Sequence, residues 1–425
     1  MDGWAASTSS GRGRARSSLR ARSPAANRKR TPRRRAEGLY VTLRYRPCAR
    51  LAGVQPRSVR ATPVSTSEHV NTHLAVAADT PQISVVVPTR NRSDLLRAVL
   101  GDLSGQHAAN LRYEVLIVDN ASRDDTRAVA LAVAARDPRV RYIYEPARGA
   151  SFARNRGIAA ARAPIIAFID DDVRPAADWV RAAWQSMTCH PEVDCIGGRI
   201  EPHWPAPPPP WLTPNLFGPV ALQVGRDNGS YLDRDHASGC LMSANFVCRA
   251  SVLRELGGFA PQFQRDEDRE LNLRLWRAGK RGIYDDSLIV FAQVQPERLK
   301  RRHHRDWHTV TGDSHARLHY RDLVDRDGRL VDAPPSGRRF WGVPGFLYRE
   351  FGEQAATWCR LVARLQFDGA FYHECRMRYL AAYFRHRWRE RWRERESHAA
   401  SASRPAGERR TGVGARTSGV SGLNQ

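Results

Sequence analysis

Ile165-Ile166-Ala167-Phe168-Ile169-Asp170-Asp171-Asp172 decides how this chain is read. Five apolar residues, three of them β-branched, have the pattern of a buried strand, and the strand runs into three adjacent carboxylates. Carboxylates held side by side repel unless a cation is shared among them, and hard divalent cations such as Mg²⁺ take oxygen ligands. Open α/β sheets keep their ligand crevices at the C-terminal ends of parallel strands. A second reading is open at this point: acidic residues after a strand also start helices, here at Val173-Arg174-Pro175.

The flanking sequence bears on that choice. Ile83-Ser84-Val85-Val86-Val87-Pro88 is a compact β-branched run closed by proline. Ser93-Asp94 can cap a helix with Leu95, Leu96, Val99, Leu100 and Leu103 at helical spacing. A strand over 113–118 ends at Asp119-Asn120-Ala121-Ser122. A helix over 124–135, a strand over 140–144 and a small-residue helix over 149–161 then lead to the strand that ends at Asp170. This alternation predicts an α/β fold with a mostly parallel sheet wound by right-handed crossovers. Each strand exit delivers polar residues to one edge: Thr89-Arg90-Asn91, Asp119-Asn120, then Asp170 to Asp172. Three polar exits on one edge describe a site better than three separate helix caps.

Further along, the pattern predicts a helix over 176–186 and a strand over 194–200. An extended loop with Trp204, the prolines 207–210 and Trp211 follows; it reads equally as a surface loop and as a packing strap. A strand over 238–248 and a helix over 250–256 stop at Gly257-Gly258. Arg265-Asp266-Glu267-Asp268 then opens a helix over 269–278, where acidic residues also suit the helix dipole. One or two strands fall in 281–294, a basic His-rich stretch in 298–319, and helical periodicity in 340–396. The last segment, 385–396, reads as an exposed helix of Arg, Trp and Glu with i,i+4 pairs.

The net charge of +24 belongs mainly to the ends. Residues 1–80 hold 15 Arg and Lys29 against Asp2, Glu37, Glu68 and Asp79, a balance of +12; residues 384–425 hold ten Arg against four Glu, a balance of +6. The remaining +6 is ordinary for a folded domain. The expected organisation is a disordered Arg-rich tail over 1–80, a folded α/β domain over 81–300, a helical region over 301–396 and a disordered tail over 397–425. The seven cysteines form no CxxC pair and no metal spacing, which fits free thiols in a reducing compartment. No apolar run approaches the roughly 18–20 residues of a membrane span, and the start has no signal-peptide core. A cytoplasmic protein is expected, with contact at the inner face of an anionic membrane through the Arg/Trp-rich C-terminal helices as a further expectation.

Five motifs in order, Val86-Val87-Pro88-Thr89-Arg90-Asn91-Arg92, Ile117-Val118-Asp119-Asn120-Ala121-Ser122, Gly149-Ala150-Ser151-Phe152-Ala153-Arg154-Asn155-Arg156-Gly157, Phe168 to Asp172, and Glu267-Asp268, resemble family 2 glycosyltransferases over about residues 82–300. The resemblance implies the GT-A fold and a nucleotide-sugar donor carrying UDP, GDP or dTDP, with UDP favoured. It implies that Pro88, Thr89 and Asn91 line the nucleotide and that Asp119 holds the base. Arg154 and Asn155 would lie under the donor. Asp170 and Asp171 would face the ribose and sugar, and Asp172 with Asp170 would hold Mn²⁺ or Mg²⁺ at the DxD element. Asp268 would be the general base, with Glu267 second, in an inverting transfer to a hydroxyl of a glycan or lipid-linked acceptor, as in cell-surface polysaccharide synthesis. Trp204 and Trp211 are candidates for the acceptor wall.

The sequence departs from the family in one place: Ala292 stands where many members carry a His that helps ligate the metal. His303, His304 and His308 are substitutes by position, although a His in a basic surface helix is usually solvated. The absence of Gln-x-x-Arg-Trp argues against a processive synthase. Two other classes are compatible with parts of the sequence, a nucleic-acid-binding protein using the basic tails and a catalytically degenerate scaffold. The tails lack a recognisable module, which disfavours the first; intact Asp170, Asp172 and Asp268 disfavour the second.

Overall fold

The structure, a computed structural model, describes residues 80–402 apart from 264, 335 and 336, and all of them fall in one compact unit. The expected tails, 1–80 except Thr80 and 403–425, lie outside the described residues. β1 (Ile83–Thr89), α1 (Ser93–Ser104), β2 (Tyr113–Asp119), α2 (Thr126–Ala134), β3 (Val140–Tyr144), α3 (Ala150–Ala160) and β4 (Ile165–Ile169) alternate as the hydrophobic pattern predicts. β1, β2 and β4 are buried along their whole length, because helices cover both faces; such strands are apolar runs rather than alternations. α2 starts two residues later than expected. Asp124 accepts from the Ser93 and Thr126 backbone N–H groups, so it belongs to the turn.

The chain does not form a helix after Asp172. It continues as β5 (Val173–Pro175), whose Val173 pairs antiparallel with Ala292. Proline is tolerated there because β5 ends the sheet. α4 (Trp179–Cys189), β6 (Cys195–His203), β7 (Tyr231–Leu232), β8 (Asn245–Arg249), α5 (Ala250–Glu255), α6 (Glu267–Arg277) and one long strand, β9 (Gly282–Gln293), follow. The sheet runs β3-β2-β1-β4-β8-β6-β9-β5, with β7 also on β9. Its first four strands are parallel, and β8 turns the remainder mixed. Only the end of the expected 238–248 strand pairs in the sheet. Around Leu241 the Asn272 side chain takes the place of a neighbouring strand, accepting from its N–H at 2.8 Å and donating to its C=O at 3.2 Å.

Alternate strand residues feed two cores. Val85, Val87, Ile117 and Ile169 pack under α1, α2 and α4; Val86, Leu116, Val118 and Phe168 pack under α3, α5 and α6. α3 lies directly on β1 at Gly157, where an added Cβ would stand 2.4 Å from Val86 Cγ1. That close approach carries Arg154, one turn earlier on α3, to the C-terminal end of the strands.

α7 (Arg301–Arg317), α8 (Tyr320–Leu323), the hairpin β10 (Arg339–Phe340) and β11 (Val343–Pro344), α9 (Gly345–Ala363) and α10 (Phe367–Ala402) complete the described chain. The hairpin interrupts the expected helical run, and α10 passes its expected end at 396. α7 is not the solvated basic helix expected. Its His304, His308 and His315 are buried, and at Gly312 it crosses α10 so closely that a Cβ would meet Tyr379 O at 2.2 Å. No helix among the described residues is long and apolar enough to cross a membrane.

Candidate active site

β1 lies between β2 and β4, so the chain reverses its order of strand addition there, and such a switch point leaves a crevice at the C-terminal strand ends. Register places Thr89 opposite Asp119 and Pro88 opposite Val118, one level deeper and buried. Asp119 is 2 % exposed and committed on both oxygens: Oδ1 accepts from Ser122 N at 2.9 Å and Oδ2 from Tyr142 Oη at 2.8 Å. Burial, then the bond to Asp119, pushes the Tyr142 phenol up to about 12, so the hydroxyl stays a donor. Asn91 is exposed and left-handed at φ 51°, with its N–H on Ser122 Oγ and its Oδ1 on Arg123 N. These bonds tie the ends of β1 and β2 into one rim.

The three aspartates diverge in environment. Their side chains are 29 %, 5 % and 11 % exposed in order, so Asp170 is the one open to a ligand. Asp171 corrects the expectation that it faces the donor. Its Oδ2 accepts from Thr89 Oγ1 and its Oδ1 from Arg92 Nη1, both at 2.8 Å, so it fixes β1 to β4 beneath the crevice. Burial pushes its carboxyl up to about 6; Arg92 opposes the rise and Asp172 adds to it. Asp172 Oδ2 accepts from Arg298 Nη2 at 2.8 Å and from Arg92 Nη1 at 3.3 Å. Its backbone C=O accepts from Gln293 N, at the end of β9.

Arg154 is 4 % exposed and joins the two halves of the site. Its Nη2 donates to Asp170 Oδ1 at 2.9 Å and its Nη1 to Glu267 Oε1 at 3.0 Å, with the guanidinium carbon 5.3 Å from the centre of the Phe259 ring. Asn155 corrects a second expectation. Rather than lying under the donor, it accepts from Phe259 N at 2.7 Å and donates to Phe259 O at 2.8 Å, holding the loop before α6.

Glu267 and Asp268 lie inside the first turn of α6, two residues before the expected start. Asp266 precedes them at φ 62°, a left-handed turn that aims the carboxylates back toward the strand ends. Asp268 Oδ1 is sealed from solvent and has no hydrogen-bond partner among the described residues. Burial pushes the Asp268 carboxyl well above the ordinary carboxylate range; the Glu267 charge adds to the rise, while Arg154 and Ser243 oppose it. A carboxylate shifted upward is a stronger base once ionised.

The remaining candidates lie apart from this cluster. Trp211 is buried against Phe371 and His304, with ring centres 4.9 Å and 4.8 Å away, and Trp204 packs at 6.5 Å from Phe217. The prolines before it are largely exposed, so the segment is a surface loop anchored by the buried Trp211, which does not form an open acceptor wall. His304 and His308 are not stand-ins for the missing ligand at Ala292. Burial pushes His304 down to about 4, its Nε2 lies 2.9 Å from Arg298 O, and His308 Nδ1 lies 2.8 Å from His304 O. His303 Nε2 lies 2.9 Å from Pro219 O.

Two residues of the site carry no local signal in the sequence: Arg92 lies inside the first motif with no role apparent from its neighbours, and Arg298 lies in a basic run whose contacts only the fold reveals. Among the described residues no group of three or more His, Cys, Asp or Glu is placed to hold a metal ion. The donor set fits Mg²⁺ or Mn²⁺ in one way. Asp172, with Asp170, offers hard oxygens at the strand end, and these ions are commonly held by one or two carboxylates with substrate phosphates and water completing the shell.

Known proteins resemble this chain over the strands and helices that carry the crevice. Residues 84–256 match the family model described as glycosyl transferase family 2. The chain is 29% identical over 209 residues to a pre-mycofactocin glycosyltransferase of Mycobacterium tuberculosis, covering 49% of this chain and 42% of that protein. It is 33% identical over 141 residues to a validoxylamine A glucosyltransferase of Streptomyces hygroscopicus, covering 32% of this chain and 29% of that protein. It thus spans less than half the length of these relatives. A mannosyltransferase of Pyrobaculum calidifontis, solved with GDP-Man and Mn²⁺, shares the fold at a TM-score of 0.50 and 20% identity, over 73% of this chain and 88% of that one. The architecture is the GT-A fold.

Proposed function

We propose, from the match of residues 84–256 to the glycosyl transferase family 2 model, that the chain is an inverting, non-processive glycosyltransferase. It moves one sugar from a nucleoside-diphosphate donor to a hydroxyl of a glycan or lipid-linked acceptor. The observation that carries this reading is Arg154, whose single guanidinium ties Asp170 at the donor strand to Glu267 beside the base. A donor-binding carboxylate and a proton-accepting carboxylate are thereby fixed in one cluster, which a transfer reaction needs and a binding scaffold does not.

In this reading the nucleotide lies along the β1–β2 rim, with its base at Asp119 and its ribose near Thr89 and Asn91. UDP is the favoured donor nucleotide, and GDP and dTDP are the alternatives. Asp170 faces the sugar. Asp172 and Asp170 would hold Mn²⁺ or Mg²⁺, which would stabilise the charge of the departing diphosphate as a Lewis acid. Arg92, 43 % exposed, and Arg298 add fixed positive charge beside Asp172. The acceptor hydroxyl gives its proton to Asp268, with Glu267 and Arg154 setting how readily that carboxylate takes it. A single base opposite the leaving group gives one displacement and inversion at the anomeric carbon.

The test is a nucleotide-sugar panel read by thermal shift with and without Mn²⁺, followed by transfer assays with the stabilising donor. Stabilisation by one donor class and release of its nucleoside diphosphate in the presence of acceptor are expected. If no nucleotide sugar binds the folded chain, the transferase reading fails. The scaffold reading draws on Ala292 and on Arg298 covering Asp172, and it predicts binding without release.

A further inference from the structure

Apart from the catalytic crevice, the most unusual surface is aromatic and basic, and it lies where the β10–β11 hairpin meets the C-terminal part of α10. Phe340, Trp388 and Trp392 are 61 %, 40 % and 56 % exposed. Together with Trp341 and Arg389 they line a shallow apolar depression. The rings are ordered among themselves. Trp341 stacks on Trp392 with centres 6.3 Å apart and planes within 8°, and Trp388 donates its Nε1–H to Tyr348 Oη at 2.9 Å.

Exposed indoles have an unfavourable apolar hydration free energy that burial relieves, and contiguous exposed apolar patches mark interaction sites. The charge around the patch says which kind. Residues 385–397 hold six Arg against three Glu, and Arg338 precedes the hairpin, whose Arg339 pairs with Asp322. Arg387 pairs with Glu390, and Arg391 with Glu394. Arg385, Arg389 and Arg393 have no carboxylate partner among the described residues. The Arg395 guanidinium carbon lies 4.8 Å from the centre of the Trp341 ring.

We propose that this face seats the protein on a bilayer of anionic lipid. Trp rings suit the headgroup level, being apolar with one polar N–H. Arg side chains reach from an apolar bed to phosphate, and each basic group near an anionic surface adds attraction that salt screens. The unpaired guanidiniums complement lipid phosphates, which an acidic protein surface would match only in a fixed pattern and a bilayer matches at any position.

Co-sedimentation of the full chain with vesicles of phosphatidylcholine alone, or with about a third phosphatidylglycerol, tests this. Binding to the anionic vesicles, weakened by salt, and a blue shift of tryptophan emission are expected. Trp388→Ser with Trp392→Ser, and separately Arg389→Glu with Arg393→Glu, should each weaken binding about tenfold or more while leaving the melting temperature within a few degrees. The Arg-rich N-terminal segment is intact in both variants. If either variant pellets like the parent, that segment holds the lipid and the proposal is overturned. Equal binding to neutral vesicles, or no binding to either, overturns it as well. Because the readout is vesicle binding, its outcome is independent of whether sugar transfer is found.

Discussion

Asp170 and Glu267 share one guanidinium. Arg154 donates to the first at 2.9 Å and to the second at 3.0 Å, although one sits at the end of β4 and the other in the first turn of α6. A buried cation between carboxylates cannot be removed without leaving them uncompensated. Arg154→Met should therefore cost about 3–5 kcal/mol of stability in urea unfolding, far more than a surface pair. A loss under about 1 kcal/mol would mean that solvent already screens the cluster.

Asp268→Asn should lower transfer by about 10²–10⁴-fold while donor binding stays within about threefold, since an amide cannot accept the proton but fills the same space. Parallel loss of donor affinity would move Asp268 from the base to the binding surface.

The pH profile carries a sign. The Asp268 pKa is raised, so the base is protonated and lost at a higher pH than an ordinary carboxylate would be. The acidic limb of kcat/KM should accordingly lie above the usual carboxylate range. The Glu267 charge is one source of that rise, so Glu267→Gln should move the limb to lower pH. A limb that moves upward, or not at all, would show that another group controls it.

Arg298 competes for the carboxylate that would hold a cation. Arg298→Ala leaves Asp172 Oδ2 only its longer contact with Arg92, so the Mn²⁺ concentration needed for half-maximal donor binding should fall several-fold. Asp172→Ala should abolish the Mn²⁺ effect. Activity of the parent that survives EDTA would rule out the metal.

Gly258 has φ +69°, and an added Cβ would stand 2.3 Å from Asn155 Oδ1. Gly258→Ala should destabilise by about 1–3 kcal/mol through its backbone alone. It should also slow transfer, because Asn155 positions the loop that leads to Asp268. Unchanged kinetics in a destabilised variant would uncouple that loop from the base.

Much of this was readable from residue order. Strands buried on both faces announce themselves as continuous apolar runs, so β1, β2 and β4, and the carboxylates at their ends, could be placed from sequence. The errors share a cause: a side chain's partner lies far away in the chain. Asn155 belongs to a donor motif by order, yet it bonds to the backbone of Phe259. Trp211 has the composition of a sugar platform, yet Phe371 of α10 covers it. Val173-Arg174-Pro175 follows acidic residues as a helix would, yet β9 offers it a ladder first. Arg298 had no local signal at all.

α7 has a consequence for engineering. Ser314 Oγ donates to Arg265 O, just before the base, and the His304 ring bonds Arg298 O, on the residue that covers Asp172. One helix thus splints both the segment that leads to the base and the residue that covers Asp172. A chimera meant to import a new acceptor preference, joined at residue 300, would carry in a foreign splint and shift both segments together. Recombination partners should be cut ahead of Arg265 or beyond Arg317, so that base, covering arginine and splint travel as one cassette.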